Sequence, residues 1–466
     1  MNLGIAAIIY LLLSSLVGVY VSRRVDSAKG FALANRSLPV YVSTATVFAT
    51  WFGSESILGI PGSFLEHGIV GMMSDPLSAS LYLLLVGMFI ARHFYRMNVT
   101  TIADFLKNRY DNRVGTFLGF CIAASYMGWI AAQVIAFGFV VKFLSGGMVS
   151  EDTGKVIAAI VVVLYTFKGG MMSVAYNDFV QACMIVFGLA AAIYSIHAHT
   201  DLEFNEVINF ALSEDRFEYK YNEEYPSVWH VLGGMLAIMC GSLPQQDTYQ
   251  RITSSDSENS AVASTILGGL VYFVITMLPI YIVLTAVMTG FKTADDNSET
   301  FLIHYIAEKN NFYIQVLFFG ALLAAILSTM AGTTLASSIL LSENVIGSFT
   351  KFGTTVTSLR ICFVITAIIV LIIALTSSES IHSLVVGAGK IALVSAFWPL
   401  VFGVFVKTAK TSGALYSSIL GAGSWVTLES LSMLDIYHTG WANELVGFAI
   451  SLAVITFDTV FLKKKR

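Results

Sequence analysis

An all-α integral membrane protein with about thirteen transmembrane helices is the fold class this sequence predicts, on three observations. Charged residues make up only 12% of the 466, about half the share of a soluble protein. Hydrophobic residues make up 56%, and the mean hydropathy is +0.76. The apolar residues fall in runs of about twenty or more, long enough to cross ~30 Å of hydrocarbon as helices.

The runs lie near residues 3–21, 39–67, 69–95, 115–146, 153–167, 171–197, 228–253, 260–290, 312–346, 357–376, 380–406, 412–433 and 440–462. The fifth is short. The longest connection, about 198–227, leaves no room for a soluble domain, so residues 1–466 read as a single transmembrane domain. In the first run the basic pair Arg23 and Arg24 follows the apolar stretch, unlike a cleavable signal. The positive-inside rule then places the N-terminus outside and, after thirteen spans, the C-terminus inside. With loops assigned alternately, the inner segments hold 19 of the 26 Lys and Arg, the outer ones 6, and Lys390 lies within a span. That asymmetry supports the orientation. The expected location is a cell membrane, taken as a bacterial inner membrane, with lipid as surroundings. A net charge of −4 gives no nucleic-acid footprint, and no obligate protein partner is visible.

Enzyme chemistry finds no support. Cys121, Cys183, Cys240 and Cys362 are scattered through apolar spans without disulfide or metal spacing. There is no His/Cys/carboxylate cluster, nucleophile elbow or phosphate loop.

Two spans are interrupted. The second reads Ala49-Thr50-Trp51-Phe52-Gly53-Ser54-Glu55-Ser56 and then reaches Pro61-Gly62; the seventh carries Gly241-Ser242-Leu243-Pro244-Gln245-Gln246. A broken helix exposes backbone groups that lipid cannot satisfy but an ion or polar solute can. The breaks are five spans apart, which fits a five-plus-five inverted repeat over 39–197 and 228–406. Interrupted segments at matching places in two halves point to a transporter's binding site. Residues 1–38 then form an extra N-terminal helix and loop, and 412–466 two C-terminal helices. The ninth span adds the adjacent hydroxyls Ser328 and Thr329, able to turn oxygens toward a neighbouring break. Glu55, Asp75, Asp178 and Lys390 lie inside apolar spans, where each costs ~2.5–3.5 kcal/mol or more if unpaired. Lys390 is expected to pair with Asp75 first and Glu55 second.

With these residues in hand, the chain resembles the sodium/solute symporter family of sodium/sugar, sodium/proline and choline transporters. The resemblance rests on Leu164-Tyr165-Thr166-Phe167-Lys168-Gly169-Gly170-Met171-Met172-Ser173, on Ala175-Tyr176-Asn177-Asp178-Phe179-Val180-Gln181, on Gln246 with Gln250-Arg251, and on Ser328-Thr329. It implies a LeuT-type fold and a sodium-coupled symporter of a small organic solute. It also implies sodium held by the carbonyls of Ala49, Phe52 and Ala325 and the hydroxyls of Ser328 and Thr329, with Asp178 at an acidic position nearby. Two-sodium members have hydroxyls where this chain has Ala331 and Gly332, which puts a second sodium in doubt.

Trp51 and Trp129 match tryptophans of the choline branch, whose ring faces attract a trimethylammonium group. Where that branch has a further cage tryptophan, this chain has Gln245. The expected solute site comprises Trp51, Gly53, Glu55, Asp75, Trp129, Gln245 and Gln246, for an amine-bearing or zwitterionic compound such as an amino acid or quaternary amine. A sugar or monocarboxylate symporter, and a membrane sensor on the same fold, are the open alternatives.

Overall fold

A computed structural model of the chain describes residues 3–6, 9, 33–166, 170–200, 202–222, 225–293, 297–436 and 440–461. Most of the first span, Lys168-Gly169, the Asp295-Asp296 pair and the basic tail at 462–466 lie outside the described residues.

Among the described residues every regular element is helical. Helix α1 (Val40–Trp51) follows Pro39, which has no N–H for a helix start to leave unpaired, and stops at Phe52 (φ −100°, ψ 77°). The chain becomes helical again at Ser54, makes a widened turn over Glu55–Gly59 and runs on as α2 (Ile60–His67). It reverses at Gly68, whose φ of 60° suits a residue without Cβ. The next span begins at Met73, is interrupted at Asp75 (φ −148°, ψ 127°) and continues through α3 (Ala79–Leu85) and α4 (Ala91–Met97). A short helix α5 (Ile102–Arg109) then starts on a capping box of Thr101 and Asp104.

Three long helices follow: α6 (Asn112–Leu144), α7 (Glu151–Thr166) and α8 (Gly170–Thr200). The 198–227 connection carries α9 (Phe204–Ser213). The seventh apolar segment is split into α10 (Val228–Met239) and α11 (Gln246–Ser254). Beyond it come α12 (Glu258–Met288), α13 (Ser298–Lys309), α14 (Phe312–Ile339) and α15 (Val356–Thr376). The chain closes with α16 (Ile381–Ser395), α17 (Phe397–Phe405), α18 (Thr411–Met433) and α19 (Asn443–Val460).

Among the described residues seven helical stretches are long and apolar enough to cross a membrane, or eight if α16 and α17, bent by 50°, count as one span. Burial orders them. The stretch containing α14 has 78% of its apolar window buried, against 33% for α15 and 28% for α19. Helix α14 is therefore central, and the latter two present most of their surface outward. Helix α1 packs on α8, α11, α12 and α14, while α16 lies between α6 and α10 on one side and α18 and α19 on the other. The start of α1 and the end of α11 are tied by Leu38, whose N–H donates to Ser254 O at 3.1 Å and whose carbonyl accepts from Asp256 N at 2.9 Å.

At the end of the bundle that carries α9, α13 lies across α2 and reaches the start of α16. Glu299 Oε1 accepts the Ile381 N–H at 2.5 Å, capping a helix start whose free N–H groups attract a carboxylate. Burial nevertheless pushes this carboxyl up from 4.5 to about 7, with the N–H groups of Ile381 and His382 opposing. The folded chain therefore holds a proton here that the unfolded chain has released. The associated stability is complete below about pH 4.5 and is lost as pH rises through about 7. Glu299→Gln is expected to flatten the thermal stability of the purified protein across that window. An unchanged slope in the variant would assign it to another group.

Candidate functional site

The two interruptions meet inside the bundle, and each is closed by a side chain from a neighbouring helix. At the first, Phe52 and Gly53 separate α1 from the helix that resumes at Ser54. Gln133 of α6 fills the gap: its Oε1 accepts the Ser54 N–H at 2.9 Å, and its Nε2 donates to Glu55 Oε2 at 2.6 Å. The other Glu55 oxygen accepts from Trp129 Nε1 at 3.3 Å. Trp129 and Gln133 stand four residues apart, on one face of α6, so one helix serves the break twice. Gly53 lies against both partners, where a Cβ would come within 2.6 Å of Glu55 Oε2.

At the second interruption Tyr82 of α3 donates to Ser242 O at 3.0 Å, satisfying a carbonyl that the break frees. Gly241 and Gly389 let this break and α16 meet backbone to backbone. A Cβ on Gly241 would lie 2.2 Å from Gly389 O, and one on Gly389 would lie 2.3 Å from Ala237 O.

Between the breaks is a cavity lined by Trp51, Glu55, Asp75, Trp129, Ser242 and Gln245, and backed by α16 at Val385, Ala388 and Gly389. It measures about 10 Å³, room for about one water, so an organic solute requires its walls to move. The Trp51 ring lies 5.8 Å from Trp129 and 5.3 Å from Tyr82. Asp75 sits at the extended interruption of its span, where its Oδ1 accepts from the Tyr272 hydroxyl at 2.6 Å. Gln245 Oε1 and Trp51 Nε1 are buried without a hydrogen-bond partner.

Gln246 departs from the expected solute site. Its Nε2 donates to Thr100 O at 3.0 Å and its Oε1 accepts the Ile102 N–H at 2.9 Å, so it fastens α11 to the start of α5. Gln245 and Gln246 are consecutive at a helix start, and consecutive residues there point to different sides.

On the far side of α1, Ala325, Ser328 and Thr329 share one face of α14 by their spacing of three and four. Thr329 Oγ1 lies 3.4 Å from Ala49 O, one turn before the first break. Ser328 Oγ donates to one oxygen of Asp178, and Thr46 Oγ1 donates to the other at 2.5 Å. Asp178 is 1% exposed and belongs to α8, so α1, α8 and α14 converge at this carboxylate. Arg251 packs on α14 just beyond: a Cβ at Gly332 would come within 2.8 Å of its Nη2.

The profile of the sodium:solute symporter family matches residues 31–421. The chain belongs to the sodium:solute symporter family. High-affinity choline transporter 1 of Caenorhabditis elegans is 24% identical to this symporter, over 90% of this chain and 76% of the relative. The sodium/proline symporter of Haemophilus influenzae is 23% identical, over 98% of this chain and 94% of its own. Among solved structures, a Na+-coupled sialic acid symporter in a substrate-bound outward-open state matches with a TM-score of 0.81 at 18% identity, covering 98% of this chain and 97% of that one. The fold is therefore LeuT-like, and the chain is a multi-pass membrane transporter, not an enzyme.

Gln133, Tyr82 and Tyr272 of the symporter are functional neighbours that the motifs of the sequence leave unmarked. Gln133 offers a sign, an amide four residues after Trp129 in an apolar span. The tyrosines offer none, since a buried tyrosine in such a span looks like packing.

Lys390 also departs from expectation. Its ammonium lies 3.4 Å from Glu444 of α19, not at Asp75 or Glu55. On α16 Ala388 and Gly389 face the cavity, and the next residue is turned by about 100° toward the α18–α19 side. Glu444 is 3% exposed, so Lys390→Met leaves its charge nearly alone. That variant is expected to lose roughly 1–3 kcal/mol of stability. Adding Glu444→Gln should recover part of the loss, and the coupling is read from a double-mutant cycle on thermal unfolding. Additive effects would mean that the contact contributes nothing.

Proposed function

We propose that this symporter imports a small polar organic solute, amine-bearing or zwitterionic, together with one sodium ion. The observation that carries the reading is the approach of Thr329, with Ser328 beside it on α14, to the Ala49 carbonyl one turn before the first break. Sodium, a hard cation, takes oxygen ligands. The carbonyls of Ala49, Phe52 and Ala325 and the two hydroxyls form such a set in our reading. Because Ser328 donates its proton to Asp178, its lone pairs remain free for a cation.

A single sodium is favoured by Arg251. Its guanidinium stands against Gly332, where two-sodium relatives carry a hydroxyl in the family pattern, and a fixed positive charge there opposes a second cation. The solute is placed in the cavity between the breaks, against Trp51, Trp129 and Gln245, with Glu55 and Asp75 completing its wall and Gly53 packed against Glu55. The accompanying topology has thirteen spans, the N-terminus outside, the C-terminus inside, and inverted repeats over 39–197 and 228–406. The cell membrane, with sodium higher outside, is the expected setting.

Sodium binding is measurable without knowing the solute. Sodium chloride, compared with potassium chloride at equal ionic strength, should raise the unfolding temperature of the wild type. Combining Ser328→Ala with Thr329→Ala should raise the sodium concentration for half the effect by roughly tenfold or more, as expected on losing ligands to a charge. Radiolabelled sodium should saturate at one ion per chain. Stabilisation by potassium equal to that by sodium refutes sodium coupling, and saturation at two ions refutes the one-sodium reading.

A further inference from the structure

The geometry points to a solute whose charged nitrogen carries N–H donors: an organic cation of the primary or secondary ammonium or guanidinium class, and not a quaternary ammonium. This deepens the proposed function and rests on its placing of the solute in the cavity between the two breaks.

Charge is the first ground. Glu55 is 1% and Asp75 2% exposed, and both line the cavity. Among the described residues neither forms an ion pair. Lys390, on the helix that backs the cavity, faces away and pairs with Glu444. Arg251 lies against α14 at Gly332. Carboxylates buried without a counter-charge are costly, and a cationic solute supplies what the protein omits. An anionic or neutral solute leaves the two carboxylates without a counter-charge.

The second ground is the kind of polar atom left open. Gln245 Oε1 is a buried acceptor without a partner; the open donor beside it, Trp51 Nε1, can take an acceptor elsewhere on the solute and does not bear on the charged nitrogen. Glu55 accepts from Gln133 and Trp129, and Asp75 from Tyr272, but a carboxylate has lone pairs for further donors. These acceptors call for hydrogen on nitrogen. A trimethylammonium group presents only methyls and leaves the amide oxygen of Gln245 unpaired. The ring faces of Trp51 and Trp129 attract either kind of cation, so they do not discriminate. Discrimination falls to the oxygens, and a site built to hydrogen-bond an N–H rejects the analogue that lacks it because its own polar groups stay unsatisfied.

The test uses the full-length purified symporter in detergent, with methylammonium chloride and tetramethylammonium chloride as probes. Thermal stabilisation is followed against probe concentration, in sodium chloride and in potassium chloride at equal ionic strength. The concentration for half the effect should be at least roughly tenfold lower for methylammonium than for tetramethylammonium. Asp75→Asn and Gln245→Met, both close in shape to the residues replaced, should each move that ratio toward one. If Asp75→Asn does not fold, the wild-type ratio and Gln245→Met decide. A ratio of one or below in the wild type overturns the inference, as does the absence of any effect of either cation beyond ionic strength. Sodium-specific stabilisation without amine preference sinks this inference alone. Loss of the sodium effect sinks the symport reading beneath it.

Discussion

A helix inside a membrane cannot stop without leaving backbone donors and acceptors that lipid will not satisfy. The middle of this structure is organised by that constraint. Each break in the two split spans is held by a group from elsewhere in the chain. Gln133 takes the Ser54 N–H, the Ser56 hydroxyl reaches back to Trp51 O at 3.1 Å, and Tyr82 donates to Ser242 O. The supporting side chains come from α6 and α3, so both interruptions depend on the same half of the bundle. The polar residues of the site are thus structural before they are anything else, and their side chains arrive already oriented.

The first break also explains how two chemically different places sit so close. Ala49, in the proposed sodium site, and Glu55, at the cavity, stand on either side of the break at Phe52-Gly53, with only the last residues of α1 and Ser54 beside it. Thr329 approaches the former from α14 and Gln133 the latter from α6. A shift of this segment along the bundle axis is felt on both sides, because less than one helical turn and the break itself lie between them. With the sites as proposed, coupling between ion and solute requires no long relay through the protein.

Much of this was legible in the sequence, and the failures have physical causes. The breaks at Phe52-Gly53 and at Gly241–Gln245 announce themselves through Gly, Pro and polar residues in apolar runs, and the spacing of Ala325, Ser328 and Thr329 places them on one face. Glu55 and Asp75 stand out because charge is rare in such spans. Gln246 and Lys390 misled for a common reason. Each adjoins a residue of the cavity wall, and one step along a helix turns a side chain through about 100°. Sequence adjacency places the backbone, not the direction of the side chain. Tyr272 and Tyr82 were hidden because burial of an aromatic body is uninformative about its hydroxyl. Glu444 was invisible as a partner, since its meeting with Lys390 depends on how α19 leans on α16.

The glycine contact between α10 and α16 has a mechanical meaning. Most helix pairs touch through side chains, which yield by changing rotamer and so act as springs. At Gly241 and Gly389 nothing of that kind stands between the two main chains. Such a joint is stiff in compression yet smooth in sliding, because it has no interlocking knobs. Tilting α16 inward therefore drives the irregular segment after α10 directly, whereas at this one contact gliding meets no side chain. The wall of the cavity at Ala388 and Gly389 is in this sense a bearing surface, where two main chains touch and no side chain stands between them.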